Sequence, residues 1–415
     1  MSEAGQLRWL QAVRDILDRA HLCTPQDLPG AVNAALAPLG LRARIWLIDY
    51  EQTALWPLPE PGRETPEQIP VDGSLPGRVF ARVASMPGND DGDRWWVPMV
   101  DGTDRLGVIE FEAPGGPAVD GPEFLRHCEL VAGLAGHMIA AVTLRGDHID
   151  RVRRTQPMSA AAELLWRLLP PLTSSSERVV MSAVLQPCYE VGGDGFDYAL
   201  DGPTARIVVL DAAGRGLRAG LACAVVLAAV RATRLAGRDL CDQAQVADAA
   251  LEEQFPDTRF ATAVLAELDV ETGRLRYINA GHPPPLLLRA GRIVGELDRG
   301  RRMPLGVDDA SAEVAEEVLE PGDRLLLYTD GVTEARTADG DRFGRGRLVD
   351  LVERHETAGL PAPETLRRLA HAVIRHQPGT PADDATLMLV QWSTPAALNT
   401  VPKAGQQRND DGSPA

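Results

Sequence analysis

Cysteine is scarce and unpatterned in this chain. There are five, Cys23, Cys128, Cys188, Cys223 and Cys241, widely spaced and without a C-x-x-C pair. An odd, scattered set offers neither a disulfide framework nor a zinc cluster, and it suits a reducing cytosol. Basic charge is the next deficit: 42 Lys and Arg against 59 Asp and Glu give a net charge of −17. That balance argues against a nucleic-acid or anionic-membrane surface. Long apolar runs are missing too. Leu130 to Leu144 and Ala219 to Val230 are the longest; both fall short of a membrane span and contain His or Gly. The start, Met1-Ser2-Glu3-Ala4-Gly5, lacks a basic segment leading into an apolar one, so no signal peptide is expected. No internal repeat is found. At 415 residues the chain exceeds one ordinary core and implies two domains.

What is present is a series of acids at strand ends. Arg206-Ile207-Val208-Val209-Leu210 is a short β-branched run that delivers Asp211 to its end. Val191-Gly192-Gly193-Asp194 precedes the strand before it, and Asp211-Ala212-Ala213-Gly214-Arg215-Gly216 follows. Glycine lets backbone approach closely. Leu325 to Tyr328 is another apolar run leading into Thr329-Asp330-Gly331, and Asp383-Asp384 stands before Ala385 to Val390. One sandwich can converge such acids at one edge. Carboxylates without clustered Cys or His favour hard cations, Mg²⁺ or Mn²⁺, over zinc. Polar turns between strands would give the same local pattern.

With Asn279-Ala280-Gly281-His282-Pro283-Pro284, these motifs fall in an order that resembles the SpoIIE-type branch of the protein phosphatase 2C (PPM) family, over about Leu164 to Trp392. The resemblance implies a metal-dependent protein Ser/Thr phosphatase with no side-chain nucleophile, in which water activated by two ions attacks phosphorus. Carried over position by position, Asp211 bridges both ions. Asp194 and the carbonyl of Ala212 serve one, Asp330 and Asp383 the other. Asp384 stands where the wider family often has Asn and is expected to orient its loop. Asp197 is either a support behind the ligands or a turn cap. Arg215 replaces the His of many relatives, and either contacts phosphate or an acidic partner or is simply solvated. Ala213 stands where the eukaryotic branch has a His, so the leaving group must take its proton from water or another group. His282 is expected to hold its Gly-Pro-Pro loop.

The reading of the whole chain is α+β. Residues 1–145 carry helix, strand and closing-helix signals and resemble a GAF domain, best at Pro98-Met99-Val100-Asp101-Gly102 and Leu106-Gly107-Val108-Ile109. Trp46, Trp56, Trp95 and Trp96 are candidates to line a ligand pocket there, or else core. His127 and His137 read as structural. Residues 146–172 form a helical linker: Pro157 breaks one helix, Ser159 to Leu169 makes a second with an apolar stripe, and Pro170-Pro171 ends it. Residues 173–393 form the second domain, for which the resemblance implies a phosphatase with a PPM-type antiparallel β-sandwich flanked by helices. Phe343-Gly344-Arg345-Gly346 reads as a turn. Residues 394–415, rich in Ser, Pro, Asn, Gln and Gly, read as a disordered tail. The resemblance implies a phosphorylated STAS-type anti-anti-sigma protein as partner in a cytoplasmic switching pathway. A small ligand or partner protein at the GAF-like domain and a homodimer through the linker stripe complete the expected partners. A non-catalytic phosphoprotein-binding module and a dimerising ligand sensor are the alternative readings.

Overall fold

The computed structural model describes residues 3–88, 93–113, 121–190, 192–255, 260–307, 309, 313–377, 379, 381 and 383–402. Val191 and residues 403–415 of the expected tail lie outside them. The chain divides into two compact units, one built on Met1–Thr155 and one spanning Gln156–Leu398.

The first unit contains α1 (Glu3–Ala20), α2 (Leu28–Leu36), β1 (Arg42–Ile48), β2 (Ala54–Pro57), β3 (Ile69–Pro70), α3 (Leu75–Arg82), β4 (Met86–Pro87), β5 (Arg94–Asp101), β6 (Asp104–Glu112), α4 (Pro122–Thr143) and α5 (His148–Arg153). Its strands pair antiparallel in the order β3-β2-β1-β6-β5-β4. Central strands β1, β5 and β6 are apolar on both faces because both faces are covered. Ile45, Leu47, Ile109 and Phe111 pack with residues of α1, α2 and α4. Trp46, Ile48, Trp96 and Val108 pack with Val79 and Phe80 of α3. Trp46 and Trp96 stand 5.9 Å apart between ring centroids inside that core. They fill space inside the core, the second of the two readings open to them. His127 stacks on Trp9 at 4.9 Å, and His137 bonds Asp101 through Nδ1.

The second unit contains α6 (Ala160–Leu168), β7 (Thr173–Ser175), β8 (Val179–Gln186), β9 (Asp194–Asp201), β10 (Thr204–Ala212), α7 (Leu217–Leu235), α8 (Leu240–Gln254), β11 (Ala261–Asp269), β12 (Arg274–Ala280), β13 (Leu286–Arg289), β14 (Arg292–Glu296), β15 (Arg301–Arg302), β16 (Ala315–Val318), β17 (Arg324–Tyr328), α9 (Asp330–Glu334), α10 (Gly344–Thr357), α11 (Ala362–His376), β18 (Ala385–Trp392) and α12 (Thr394–Leu398). One sheet runs β15-β12-β11-β10-β9 with β16 also on β12; the other runs β14-β13-β17-β18-β8-β7. All pairings are antiparallel except β12 with β15.

Alternation along each strand makes the layers. Ile207 and Val209 of β10 meet Leu327 and Met388 of the opposite sheet in the central core. Val208 and Leu210, one residue out of phase, face Val226 and Leu227 of α7 and Leu251 of α8. On the far side Leu326 and Leu387 face Leu348, Leu366 and Val373 of α10 and α11. The result is helices, sheet, sheet, helices.

Three expectations need correction. α6 is no free connector: Ala161, Ala162 and Leu165 are fully buried within this unit, the last two in the core shared with α7. Gly344 begins α10 instead of merely turning, with a φ of 72° that glycine adopts freely. The first part of the expected tail is α12, because Ala397 finds an apolar seat beside Val180 and Val184 of β8. No described helix is long and apolar enough to cross a membrane.

Candidate metal centre

Register places the first two acids. β9 and β10 pair so that Asp194 lies directly opposite Asp211 at the strand ends. On the other sheet β17 ends at Tyr328, Thr329 caps α9 and Asp330 is its first residue; Asp383 and Asp384 stand before β18. β17 and β18 are neighbours, with Tyr328 opposite Leu387. The four strand-end sites thus come from the facing ends of the two sheets.

Asp384 joins the sheets. Its Oδ2 accepts from the backbone N–H of Gly192 at 2.6 Å, Gly193 at 2.8 Å and Asp194 at 3.3 Å. Three donated bonds on one carboxylate oxygen hold the loop that carries Asp194. Two glycines are demanded by this closeness: a Cβ on Gly331 would lie 1.7 Å from the Asp384 carbonyl oxygen, and one on Gly193 2.2 Å from the Ala212 carbonyl oxygen. Thr329 finishes the clamp. Its Oγ1 donates to Asp194 Oδ2 at 2.7 Å and accepts from the Thr386 N–H at 2.9 Å. Thr329 and Thr386, both fully buried, were not foreseen from sequence. The only signal was a threonine next to Asp330 and another two residues after Asp384.

Electrostatics mark this cluster as strained. Burial and then the neighbouring Asp211 and Asp384 push Asp194 well above the usual carboxylate range. Asp211 is pushed up to about 7 by burial and by Asp330, Asp383 and Asp384. Asp330 is raised by burial, then by Asp383 and Glu334. Burial also raises Asp384, against the lowering effect of its three amide donors. Like charges this close, in a low-dielectric setting, invite either protons or a cation. The donor set, all oxygen, fits a hard divalent ion. Among the described residues, however, no three His, Cys, Asp or Glu side chains are gathered tightly enough to enclose an ion as they stand.

The remaining candidates fall elsewhere. Asp197 is turned to α7, where Arg231 reaches it at 2.6 Å and Arg234 at 2.8 Å. It is neither a turn cap nor a neighbour of the acids, since β9 alternation puts it in the helix-facing layer. Arg215 is exposed in the loop before α7. His282 is buried; its N–H donates to Asn279 Oδ1 at 2.8 Å and its Nδ1 pairs with Thr262 Oγ1 at 2.8 Å.

A family model described as "Stage II sporulation protein E (SpoIIE)" matches residues 201–393, which contain Asp211, Asp330, Asp383 and Asp384. The C-terminal half is a SpoIIE-type phosphatase domain. Asp194 and its glycine loop lie just before the matched span. Phosphoserine phosphatase RsbU of Bacillus subtilis is 24% identical to this chain over 251 residues, covering 60% of this chain and 73% of RsbU. Protein IcfG of Synechocystis sp. is 33% identical over 133 residues, 32% of this chain and only 20% of IcfG. Among solved structures, the SiaA-PP2C domain of Pseudomonas aeruginosa is 25% identical, with a TM-score of 0.47 over 61% of this chain and 98% of that one. The SpoIIE-type match does not extend into the first unit.

Proposed function

We propose that this chain hydrolyses phosphoserine or phosphothreonine on a protein, with two divalent cations at the facing sheet ends. Asp211 would serve both; Asp194 and the Ala212 carbonyl would hold one, and Asp330 and Asp383 the other. The observation that carries this reading is Asp384 spanning the two sheets to fix the Asp194 loop opposite Asp211. Bound Mn²⁺ or Mg²⁺ supplies Lewis acidity and makes water a nucleophile near neutral pH. The protein's part is positioning. Thr329 orients Asp194, and Asp384 and Gly331 lock the loops. With Ala213 at its position and His282 sealed against Thr262, the leaving oxygen draws its proton from solvent.

RsbU is a phosphoserine phosphatase, and on the SpoIIE-type resemblance the substrate here is a STAS-type anti-anti-sigma protein in a cytoplasmic partner-switching pathway. The first unit acts as a GAF-like sensor for a small ligand or partner protein, the chain works as a homodimer, and α6 carries the signal to the catalytic loop. The test is phosphate release from phosphorylated STAS-domain proteins by the full chain with Mn²⁺. Turnover should vanish on chelation. Asp211→Asn should lower it by two orders of magnitude or more, since losing one metal-bridging charge costs several kcal/mol of transition-state stabilisation. The same variant should lose the Mn²⁺-induced rise in Tm. Near-normal, Mn²⁺-dependent turnover in a folded Asp211→Asn protein would sink the assignment.

A further inference from the structure

Between α10 and α11 lies a groove of about 570 Å³ whose lining is basic in a chain that is strongly acidic overall. Arg347 and Arg354 enter it from α10, and Arg375 and His376 from the end of α11; Phe343 forms its floor and Asp350 is its one acid. All three arginines are exposed. Several arginines nearby are neutralised: Arg342 meets Glu334 at 2.8 Å, and Arg324 and Arg345 pair with Glu356 and Glu296. Those in the groove are not. Arg347 donates to Nδ1 of His376 at 2.7 Å, a ring whose Nε2–H is used on the Asp341 carbonyl at 3.1 Å. An imidazole whose Nδ1 accepts is neutral, so it fixes the guanidinium without cancelling its charge. Arg354 and Arg375 meet no carboxylate among the described residues.

The groove adjoins the candidate centre. Its floor residue Phe343 donates its N–H to the Ala335 carbonyl at 2.7 Å, and Ala335 directly follows α9, whose first residue is Asp330. α9 has five residues, a rise of roughly 7.5 Å. An extended peptide covers about 3.3 Å per residue, so three residues already outreach the length of α9.

We propose that this groove receives an acidic stretch of the phosphoprotein substrate. This rests on the phosphatase reading above and adds a sequence preference to it. Planar guanidinium groups suit carboxylates, and three of them against one acid leave the groove net positive.

The test uses the full chain and two fluorescent phosphoserine peptides, carrying either Glu or Gln at the third to fifth positions on both sides. Fluorescence anisotropy reads binding, and phosphate release with Mn²⁺ reads turnover, with p-nitrophenyl phosphate as a probe too small to reach the groove. The Glu peptide should bind about three- to tenfold more tightly, the range expected of a few exposed ion pairs. Salt should erase that difference. Arg354→Ala with Arg375→Ala should erase it too, leaving p-nitrophenyl phosphate turnover unchanged; Arg292→Ala, an exposed arginine outside the groove, should not. Equal binding of the two peptides by the unaltered chain, or a preference that survives the double substitution, overturns the proposal. A chain that prefers the Glu peptide but hydrolyses neither peptide nor p-nitrophenyl phosphate keeps the groove and loses the phosphatase reading.

Discussion

Asp384 shows how one residue can do two opposed things. Its carboxylate adds negative charge to a crowded centre, yet the three amides it accepts lessen the cost of that charge while binding the Asp194 loop. His282 makes the contrasting case, a titratable side chain buried where it bonds Thr262. Burial pushes its pKa down from 6.5 to about 4. Between those values the unfolded chain takes up a proton that the folded chain refuses. His282 therefore contributes stability that is whole above about pH 6.5 and is withdrawn as pH falls toward 4. At pH 5 the loss is about 2 kcal/mol. Thermal unfolding of the chain and of His282→Gln at pH 7.5 and pH 5 measures it. Acidification should lower Tm more in the unaltered chain; an equal fall in both would show the imidazole is not buried neutral. Comparison with the variant is needed because the raised Asp211 works in the opposite direction, costing stability as pH rises toward 7.

At the scale of elements, what was legible in the sequence was whatever burial on two faces makes conspicuous. β10, β17 and β18 are unbroken apolar runs because each lies between a helix layer and the opposite sheet, and each marks its neighbouring acid. Pairings between distant segments left no such trace. Arg231 and Arg234 capture Asp197 from 34 and 37 residues away, and neither the spacing nor the composition around them announces it. α12 was hidden for a different reason: its five residues contain too little periodicity to outweigh the polar composition that follows. α6 was read as a helix, but its apolar stripe could not say what it covers. The answer gives it mechanical contact with the segment leading to Asp194. The Ser159 N–H donates to the Tyr189 carbonyl at 2.8 Å, Trp166 Nε1 donates to the Cys188 carbonyl at 2.8 Å, and Gly220 of α7 fits between Ala161 and the Gly192 carbonyl. Trp166→Phe keeps most of the packing and removes one fastening to segment 188–194. It should cost about 1 kcal/mol of stability, the usual worth of one hydrogen bond. If α6 positions the loop, the Mn²⁺ concentration for half-maximal turnover should rise several-fold as well. A Tm loss with an unchanged Mn²⁺ requirement would make α6 a brace and nothing more.

At the scale of the molecule, the boundary between units decides where the chain can be cut. Composition suggested a linker over 146–172, but the division after Thr155 places α6 with the sandwich. The two cuts have different consequences. A fragment 156–402 retains every residue of the three layers of core around the sheets. It should unfold cooperatively, bind Mn²⁺ and hydrolyse p-nitrophenyl phosphate, whatever becomes of its regulation. A fragment 173–402 keeps all the proposed ligands yet removes Ala161, Ala162 and Leu165 from their seats in the second unit. Burying those three side chains contributes roughly 4 kcal/mol by apolar area, a large share of the stability of an ordinary domain. The cut also removes the Trp166 and Ser159 donors to the Cys188 and Tyr189 carbonyls and the Leu168 carbonyl that Arg231 meets at 2.7 Å. The shorter fragment should therefore show a markedly lower Tm and a weaker response to Mn²⁺, although no proposed metal ligand has been touched. Circular dichroism melts of the two fragments with and without Mn²⁺ separate the cases. Equal Tm and equal Mn²⁺ stabilisation would mean that α6 is a spacer after all, and that the coupling assigned to it must run by another route.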